Sequence, residues 1–365
     1  MRQQQLHQFL TGVTAGDAIT GQAFIIRRWL HEMGLKSHIY AQYIHPSVEA
    51  EVRHLSTYRK DQKDNWAIYH HSIGSDMPDF LAKEQLRLML IYHNVTPTEF
   101  FERSDPQRAE LARLGLMQLQ ELRVHTGLAL ADSAFNMLDL KDAGFAETAV
   151  LPITLSPEQY DLPLNDTLAN ELRQRGPNLL FIGRLAPNKK QEDLVKLLYY
   201  CRRLDPHAHL YLVGDRWEIG YDNWVEKLAT ELKVAEALSL TGKVSQSDMV
   251  TYYRNSTLYI SMSEHEGFGL PLIESMYLDL PVMAYGVSAV PDTLGDAGVL
   301  FYEKDFERLA ELVHLLGNDD ELRRRIITRQ RKQLQKFLEP NVRQQFHQYL
   351  RQIGIQAVHA EAISV

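Results

Sequence analysis

Two short stretches of the sequence gather side chains that together suit a diphosphate flanked by hydroxyl groups. Residues 263–276, SEHEGFGLPLIESM, set Glu264, Glu266 and Glu274 around a turn containing Gly267, Phe268 and Gly269. The helix expected to begin near Leu270 has Pro271 in its first turn, where a missing N–H costs nothing. Its N-terminus would offer free N–H groups and about half a positive charge, and the glycines let a ligand approach the backbone, which suits phosphate. Carboxylates accept hydrogen bonds from hydroxyls instead, so Glu266 and Glu274 on either side imply sugar hydroxyls flanking the phosphates. The same carboxylates could simply favour the helix dipole or face solvent. Glu264 has no role in this reading and is expected at the solvent surface.

The second stretch, FIGRLAPNKKQEDL, puts Gly183 and Arg184 at the end of an apolar run and Lys189 five residues after Arg184. Two cations at a strand's carboxyl end can converge on a diphosphate, or they can be a surface charge pair. Lys190 directly follows Lys189 and should point elsewhere. His93 ends the apolar run LRLMLIYH, and His70 and His71 end another, NWAIYHH. A histidine so placed either reaches a ligand or is a satisfied structural residue; His70 and His71 could line an acceptor side. Asp17, in the loop TGVTAGDAITGQ, could bind an acceptor hydroxyl or cap the helix that follows.

The elements around these residues have a regular pattern. After residue 177 the apolar runs NLLFIGRL, HLYLVGD, LSLTGKV, TLYISMS and PVMAYGV alternate with amphipathic helical segments. Continuous apolar strands separated by helices predict a doubly wound parallel sheet, with ligands at the strands' carboxyl ends. The first half repeats the logic with LHQFL, SHIYAQYI, NWAIYHHSI, LRLMLIYHN and GLALADSAF, and with a helix AFIIRRWLHEMG closed by Gly34. Residues 154–177 lose the strand pattern and collect prolines, so the inter-domain link is placed there. The expected domains are 1–170 and 171–341, with a C-terminal helix at about 342–358 returning to the first.

The G-R-L-x-x-x-K spacing from Gly183 to Lys189, the E-x7-E spacing from Glu266 to Glu274, and PDTLGDAGVLF beyond them resemble the retaining glycosyltransferases of family 4. That resemblance implies an α/β fold of the GT-B type, two Rossmann-like domains facing each other across a cleft, with C-terminal helices packing back toward the first. It implies that Arg184 and Lys189 bind a donor diphosphate, cradled also by the backbone of Gly269 and Leu270. Glu274 would hold the nucleotide ribose and Glu266 the transferred sugar's hydroxyls, while the main chain at Lys243 and Val244 would meet the base. In the first domain, the loop with Gly16 would lie under the donor phosphate, and His93 would stand near the transferred sugar. The chain departs from the family at Asp279 and Leu280, where a small residue and a glycine are usual, and at Lys190, where glycine is frequent. Altered loop shape is expected there rather than lost activity.

Composition bounds the alternatives. The 365 residues are 45% apolar and 24% charged, as in a globular protein, and no apolar run reaches the roughly 18 residues of a membrane span. A net charge of -8 argues against nucleic-acid binding. A single cysteine, Cys201, fits a reducing setting, and the start MRQQQLHQFL lacks a secretory h-region, so a cytoplasmic location is expected. FIIRRWLHEMGLK could lie peripherally on the inner membrane surface or be a core helix with a basic edge. No Asp-x-Asp and no metal-spaced His/Cys cluster occurs, so no metal and no other cofactor is expected. The missing G-x-G-x-x-G and G-x-S-x-G disfavour a dinucleotide oxidoreductase and a hydrolase.

The resulting expectation is front-side transfer of a hexose, with retention, from a nucleotide diphosphate sugar to a hydroxyl of a saccharide or lipid-linked saccharide in surface polysaccharide synthesis. GDP-mannose, as for O-antigen mannosyltransferases, is the first donor expected, then UDP-glucose or a UDP-N-acetylhexosamine. The rival of another class is a catalytically silent nucleotide-sugar binding partner.

Overall fold

Apolar runs with β-branched and aromatic residues form the strands, and the segments between them fold back as helices, as the 3.6-residue spacing requires. The computed structural model describes residues 4–61, 66–216 and 220–356. Two compact units divide the chain, Met1–Glu102 with Pro106–Thr154 and Glu339–Val365, and Leu155–Leu338 with Arg103–Asp105.

The first unit holds β1 (His7–Val13), β2 (Ile39–Ile44), β3 (Arg53–His54), β4 (Trp66–His71), β5 (Arg87–Tyr92), β6 (Thr126–Ala131) and β7 (Thr148–Val150). Among the described residues these make one sheet in the order β3-β2-β1-β4-β5-β6-β7, with every pairing parallel. Parallel pairing puts register partners on the same face. Leu10, His70, Ile91 and Leu130 are successive partners across β1, β4, β5 and β6. Ile68, Met89, Ile91, Leu128 and Leu130 of this face pack with Ile26, Trp29 and Leu30 of the helix Ala18–Glu32 and with Val342, Phe346 and Leu350 of the helix Glu339–Gln352. The other face carries Phe9, Tyr69, Leu90, Tyr92 and Ala129 into a second core with Leu119 and Leu122.

The second unit holds β8 (Asn178–Ile182), β9 (His209–Val213), β10 (Leu238–Gly242), β11 (Leu258–Ser261), β12 (Val282–Tyr285) and β13 (Val299–Phe301). Its order is β10-β9-β8-β11-β12-β13, again parallel. The order reverses direction beside β8, which brings the carboxyl ends of β8 and β11 side by side.

Three differences from the sequence expectation have physical causes. β3, β7 and β13 are only two or three residues long, too short for a period to show. Residues 155–170 join the second unit rather than the first. Leu155 bridges Leu338, and Asn165 both caps the helix Asp166–Arg173 and bonds Thr251 and Asp248, so this proline-rich segment is anchored to the second sheet's helices. The returning helix begins at Glu339, inside the span expected for the second domain, and residues 357–358 of its expected extent lie outside the described residues.

The helix with Trp29 is a core helix. Ile26, Trp29 and Leu30 are fully buried, Trp29 Nε1 donates to Glu339 at 2.8 Å, and Arg27 and Arg28 pair with Glu51 and Glu339. Its apolar face therefore belongs to the first unit's interior, as in the core-helix reading of that segment. No helix among the described residues is long and apolar enough to cross a membrane. Cys201 is buried in the helix Gln191–Leu204, and burial pushes its thiol up to about 12, which keeps it protonated.

Candidate active site

In the second unit the two motif loops are tied together at the ends of β8 and β11. Asn188 makes both ties: its carbonyl accepts from the Glu264 N–H at 2.9 Å, and its Nδ2 donates to the His265 carbonyl at 3.2 Å. Gln191 closes the first loop on itself, its Nε2 donating to the Arg184 carbonyl at 3.1 Å. Sequence reading passed over both residues, because amides in a loop carry no spacing signal.

Gly183 packs against the neighbouring strand end so closely that a Cβ on Gly214 would stand 2.2 Å from the Gly183 carbonyl oxygen. Gly269 has φ 84° and is the N-cap of the helix Leu270–Tyr277, with Pro271 in the first turn as expected. Phe268 is buried edge-on to Phe337, and its carbonyl accepts from Thr293 Oγ1 at 2.6 Å. Its side chain therefore anchors the turn rather than facing a ligand. Lys243 is exposed and Val244 half-buried, just past the end of β10 and before Ser245, the N-cap of the next helix.

The structure brings Lys189 and Glu266 together: Nζ lies 2.6 Å from Oε2, and both side chains are partly buried. Arg184 is exposed at the end of the β8 strand. Glu274 is separated from this pair in character. It is 5% exposed, and Tyr160 and Tyr253 each donate to one of its oxygens at 2.5 Å. Burial raises its carboxyl above the usual range, against the opposing pull of the two tyrosine hydroxyls. Each carboxylate oxygen has two lone pairs, so one on each oxygen is left by the tyrosines.

Glu264 is not a solvent-facing bystander. It accepts from Lys304 at 3.0 Å and pairs with Lys190 at 3.2 Å, and Lys304 also bonds Asp193 at 2.8 Å. This network, not a ligand, accounts for the third acidic residue of the turn. Lys190 itself is left-handed at φ 53°, and so is Asp279 at φ 57°. The backbone thus keeps a glycine-like conformation at both departures from the family pattern, at a cost of roughly 1–2 kcal/mol each.

In the first unit Asp17 is the N-cap of the helix Ala18–Glu32, with Oδ2 accepting from Thr20 N and Thr20 Oγ1, both at 2.9 Å. Capping is its observed role. Gly16 has φ 82° and is exposed in the preceding turn, with no heavy atom within 4 Å of where a Cβ would stand. The adjacent histidines are split by the strand's alternation. His71 turns to the Tyr92 face, where Gly115 O and Tyr69 Oη engage its two nitrogens at 2.9 and 3.1 Å, and burial lowers it to about 4. This places His71 among the structural residues and away from any acceptor.

His70 lies on the opposite face in a chain of side chains crossing four neighbouring strands, from Gln8 near the start of β1 to His93 and Asp132 just past the ends of β5 and β6. Gln8 Oε1 is 3.0 Å from His70 Nε2, His70 Nδ1 is 2.9 Å from His93 Nε2, and His93 Nδ1 is 2.8 Å from Asp132 Oδ2. All four residues are buried. Asp132 and Gln8 were invisible as partners in the sequence, since nothing in spacing links positions 8, 70, 93 and 132.

Among the described residues no group of three or more His, Cys, Asp or Glu side chains is arranged to hold a metal.

Residues 167–333 match the family model of Glycosyl transferases group 1. A capsular polysaccharide biosynthesis glycosyltransferase, CapM, of Staphylococcus aureus is 33% identical over 179 residues, covering 46% of this chain and 42% of the relative. The D-inositol 3-phosphate glycosyltransferase of Thermobifida fusca is 29% identical over 156 residues, 40% of this chain and 36% of the relative. The O-antigen chain mannosyltransferase B of Escherichia coli is 26% identical over 145 residues, 38% and 37%. The alignments therefore span between about a third and a half of these curated relatives. Among solved structures, Alr3699/HepE of Anabaena in complex with UDP and glucose has a TM-score of 0.74 at 16% identity, covering 95% of this chain and 99% of that one. WaaG, a glycosyltransferase involved in lipopolysaccharide biosynthesis, has a TM-score of 0.70 at 14% identity, covering 93% and 98%. The architecture is accordingly the α/β GT-B fold.

Proposed function

We propose that the protein is a retaining glycosyltransferase that moves a hexose from a nucleotide diphosphate sugar to a hydroxyl of a saccharide or lipid-linked saccharide. The observation that carries this reading is the Lys189–Glu266 pair at the end of β8, stitched by Asn188 to a glycine turn that opens a helix. A diphosphate on that turn would compete with Glu266 for the Lys189 ammonium. Lys189 would then neutralise phosphate oxygens, and Glu266 would be released to accept from sugar hydroxyls. Arg184 adds a second, permanently charged donor.

In the transfer step the bond from the anomeric carbon to the diphosphate oxygen breaks, and the acceptor oxygen bonds to the same face of that carbon. The acceptor's proton passes to the departing diphosphate. Charge gathers on that leaving group, where Lys189, Arg184 and the N–H groups at the start of the helix Leu270–Tyr277 are fixed to meet it. No metal or other cofactor has a part in this scheme. Glu274 would take a ribose hydroxyl through the lone pairs its tyrosines leave.

Two of the relatives named above support a polysaccharide or mannose context, and the solved complex with UDP and glucose supports a UDP donor. GDP-mannose is the first donor to try and UDP-glucose the second, with the inner membrane surface a place where a lipid-linked acceptor would be met. The test is release of nucleoside diphosphate by purified protein across UDP-, GDP- and ADP-sugars with added saccharide acceptors. Release with at least one donor, lost in Glu266→Ala, supports transfer. Donor binding without any release, unchanged by Glu266→Ala, would instead support the silent binding partner.

A further inference from the structure

One helix of the second unit concentrates positive charge that the fold itself does not use. The helix Asp320–Leu334, DELRRRIITRQRKQL, buries Ile326, Gln330, Gln333 and Leu334. Gln330 fixes this inner face to the sheet: its Oε1 accepts from the Val282 N–H at 3.2 Å, and its Nε2 donates to the Leu280 carbonyl at 2.8 Å. The outer face is exposed and carries Arg324, Arg325, Arg329 and Lys332, with Lys336 following in the next turn. Steps of three and four residues set Arg325, Arg329 and Lys332 in one row along about 10 Å of helix, with Arg324 beside it.

Neighbouring cations are accounted for by the fold. Arg331 pairs with Asp279 at 2.6 Å, and Arg323 donates to the Thr257 carbonyl at 2.7 Å. Among the described residues, Arg324, Arg325, Arg329, Lys332 and Lys336 make no ion pair, although the chain has 47 acidic residues against 39 basic ones and acids are not scarce. Arg324 reaches only its own helix, at the Asp320 carbonyl 3.1 Å away. Like charges four residues apart, as at Arg325 and Arg329, destabilise a helix. The helix dipole favours cations in the last turn, which explains Lys332 but not Arg324, Arg325 or Arg329. Neither packing, pairing nor the dipole therefore accounts for the row, and an anion from outside the chain would offset its self-repulsion.

We propose that this face is a docking surface for an anionic phospholipid membrane, held by the headgroup phosphates. Charge complementarity carries the assignment, because a row of cations on a rigid helix meets a plane of phosphates all at once. From Glu321 to Lys332 no exposed apolar side chain stands among the cations, so the contact is electrostatic and does not insert into the acyl layer. Nucleic acid fits less well: the chain's net charge is -8, and the row holds no aromatic ring on which a base could stack. The surface lies wholly within the second unit and does not depend on the transferase reading.

Co-sedimentation of the full chain with vesicles of phosphatidylglycerol mixed with phosphatidylcholine, and of phosphatidylcholine alone, tests it. The protein should pellet with the anionic vesicles at about 0.1 M salt, stay in solution with the neutral ones, and be released at about 1 M salt. Each cation removed should lower the partition about fivefold, so Arg325→Gln has that effect and the combination of Arg324→Gln, Arg325→Gln, Arg329→Gln and Lys332→Gln lowers it more than about a hundredfold. A charge-matched combination at exposed positions elsewhere, Arg113→Gln, Arg203→Gln, Lys227→Gln and Arg308→Gln, should stay within about threefold of the parent, because distant charges are screened. Tm of the helix variants should equal or exceed that of the parent; if the combination melts lower, Arg325→Gln carries the test. Failure to pellet with anionic vesicles, binding that the helix variants retain, or an equal loss in the charge-matched control would overturn the proposal. Tighter binding to a single-stranded RNA oligomer than to the vesicles at the same salt would also overturn it and assign the face to nucleic acid.

Discussion

The two sheets share their parallel layout but end in opposite chemistry. In the first unit the polar groups are buried and linked across strands: Gln8, His70, His93 and Asp132 form one chain, and His71 is locked to Gly115 and Tyr69. At the ends of the second, charged side chains stand partly open to solvent, with Lys189 on Glu266 and with Lys190 and Lys304 on Glu264. Buried neutral chains hold hydrogens in fixed places; half-open ion pairs exchange partners cheaply when a stronger anion arrives.

Removing a charge from the second unit should be the most damaging change. Lys189→Ala should lower transfer by roughly 10²–10³-fold, the usual effect of deleting one preorganised stabiliser of developing charge. Steady-state kinetics would show it, and a loss below about threefold would mean that the pair with Glu266 is only a surface bridge.

Acid should act on the first unit before the second. Burial lowers His7 and His71 to about 4 and holds His70 well below the usual imidazole range, and His38, stacked on His7, is also lowered to about 4; in the second unit His209 is lowered similarly. The unfolded chain binds these protons near pH 6.5 and the folded chain does not, so the stability these groups contribute is present above pH 6.5 and is lost as pH falls toward 4. For fully buried His71 the loss is at most about 3 kcal/mol. Glu274, raised by burial, works the other way, contributing below 4.5 and losing that contribution as pH rises through its folded value. Hydrogen exchange followed from pH 7 to 4.5 should therefore show the first unit loosening first; uniform loosening would erase the contrast.

A smaller effect is expected inside the second unit. Tyr253→Phe deletes one of the two hydroxyls on the buried Glu274 and should cost about 1–3 kcal/mol in urea unfolding. The smallest expected change is Lys190→Gly. It relieves a left-handed lysine but loses the contact with Glu264, so the net gain should be below about 1 kcal/mol, read as a slight rise in Tm.

What could be seen in the sequence followed the same division. The second unit's motifs are local, a few residues around a strand end, so glycine, proline and charge spacing placed Gly183, Lys189, Glu266 and Gly269 on strand ends and on the turn before a helix. The carboxylates were harder: type alone could not say that Glu264 belongs to an ion network or that Glu274 lies buried under two tyrosines, one from the proline-rich segment read as a link. In the first unit the apolar runs gave the strands that carry His70 and His93. The chain that joins them depends on sheet order, β1 beside β4 and β5 beside β6, which no local pattern encodes. Asp17 shows the limit from the other side, since a cap and a ligand contact have the same sequence signature.

The central claim is that Lys189 and its turn take the diphosphate of a nucleotide sugar. Thermal shift with UDP, GDP, ADP and their sugars, in the parent and in Lys189→Ala, tests it most directly, because a ligand that binds the folded state alone raises Tm with concentration. The account requires a concentration-dependent rise with at least one nucleoside diphosphate, abolished or strongly reduced in Lys189→Ala. No rise with any of them, or a rise that the substitution leaves intact, would contradict it.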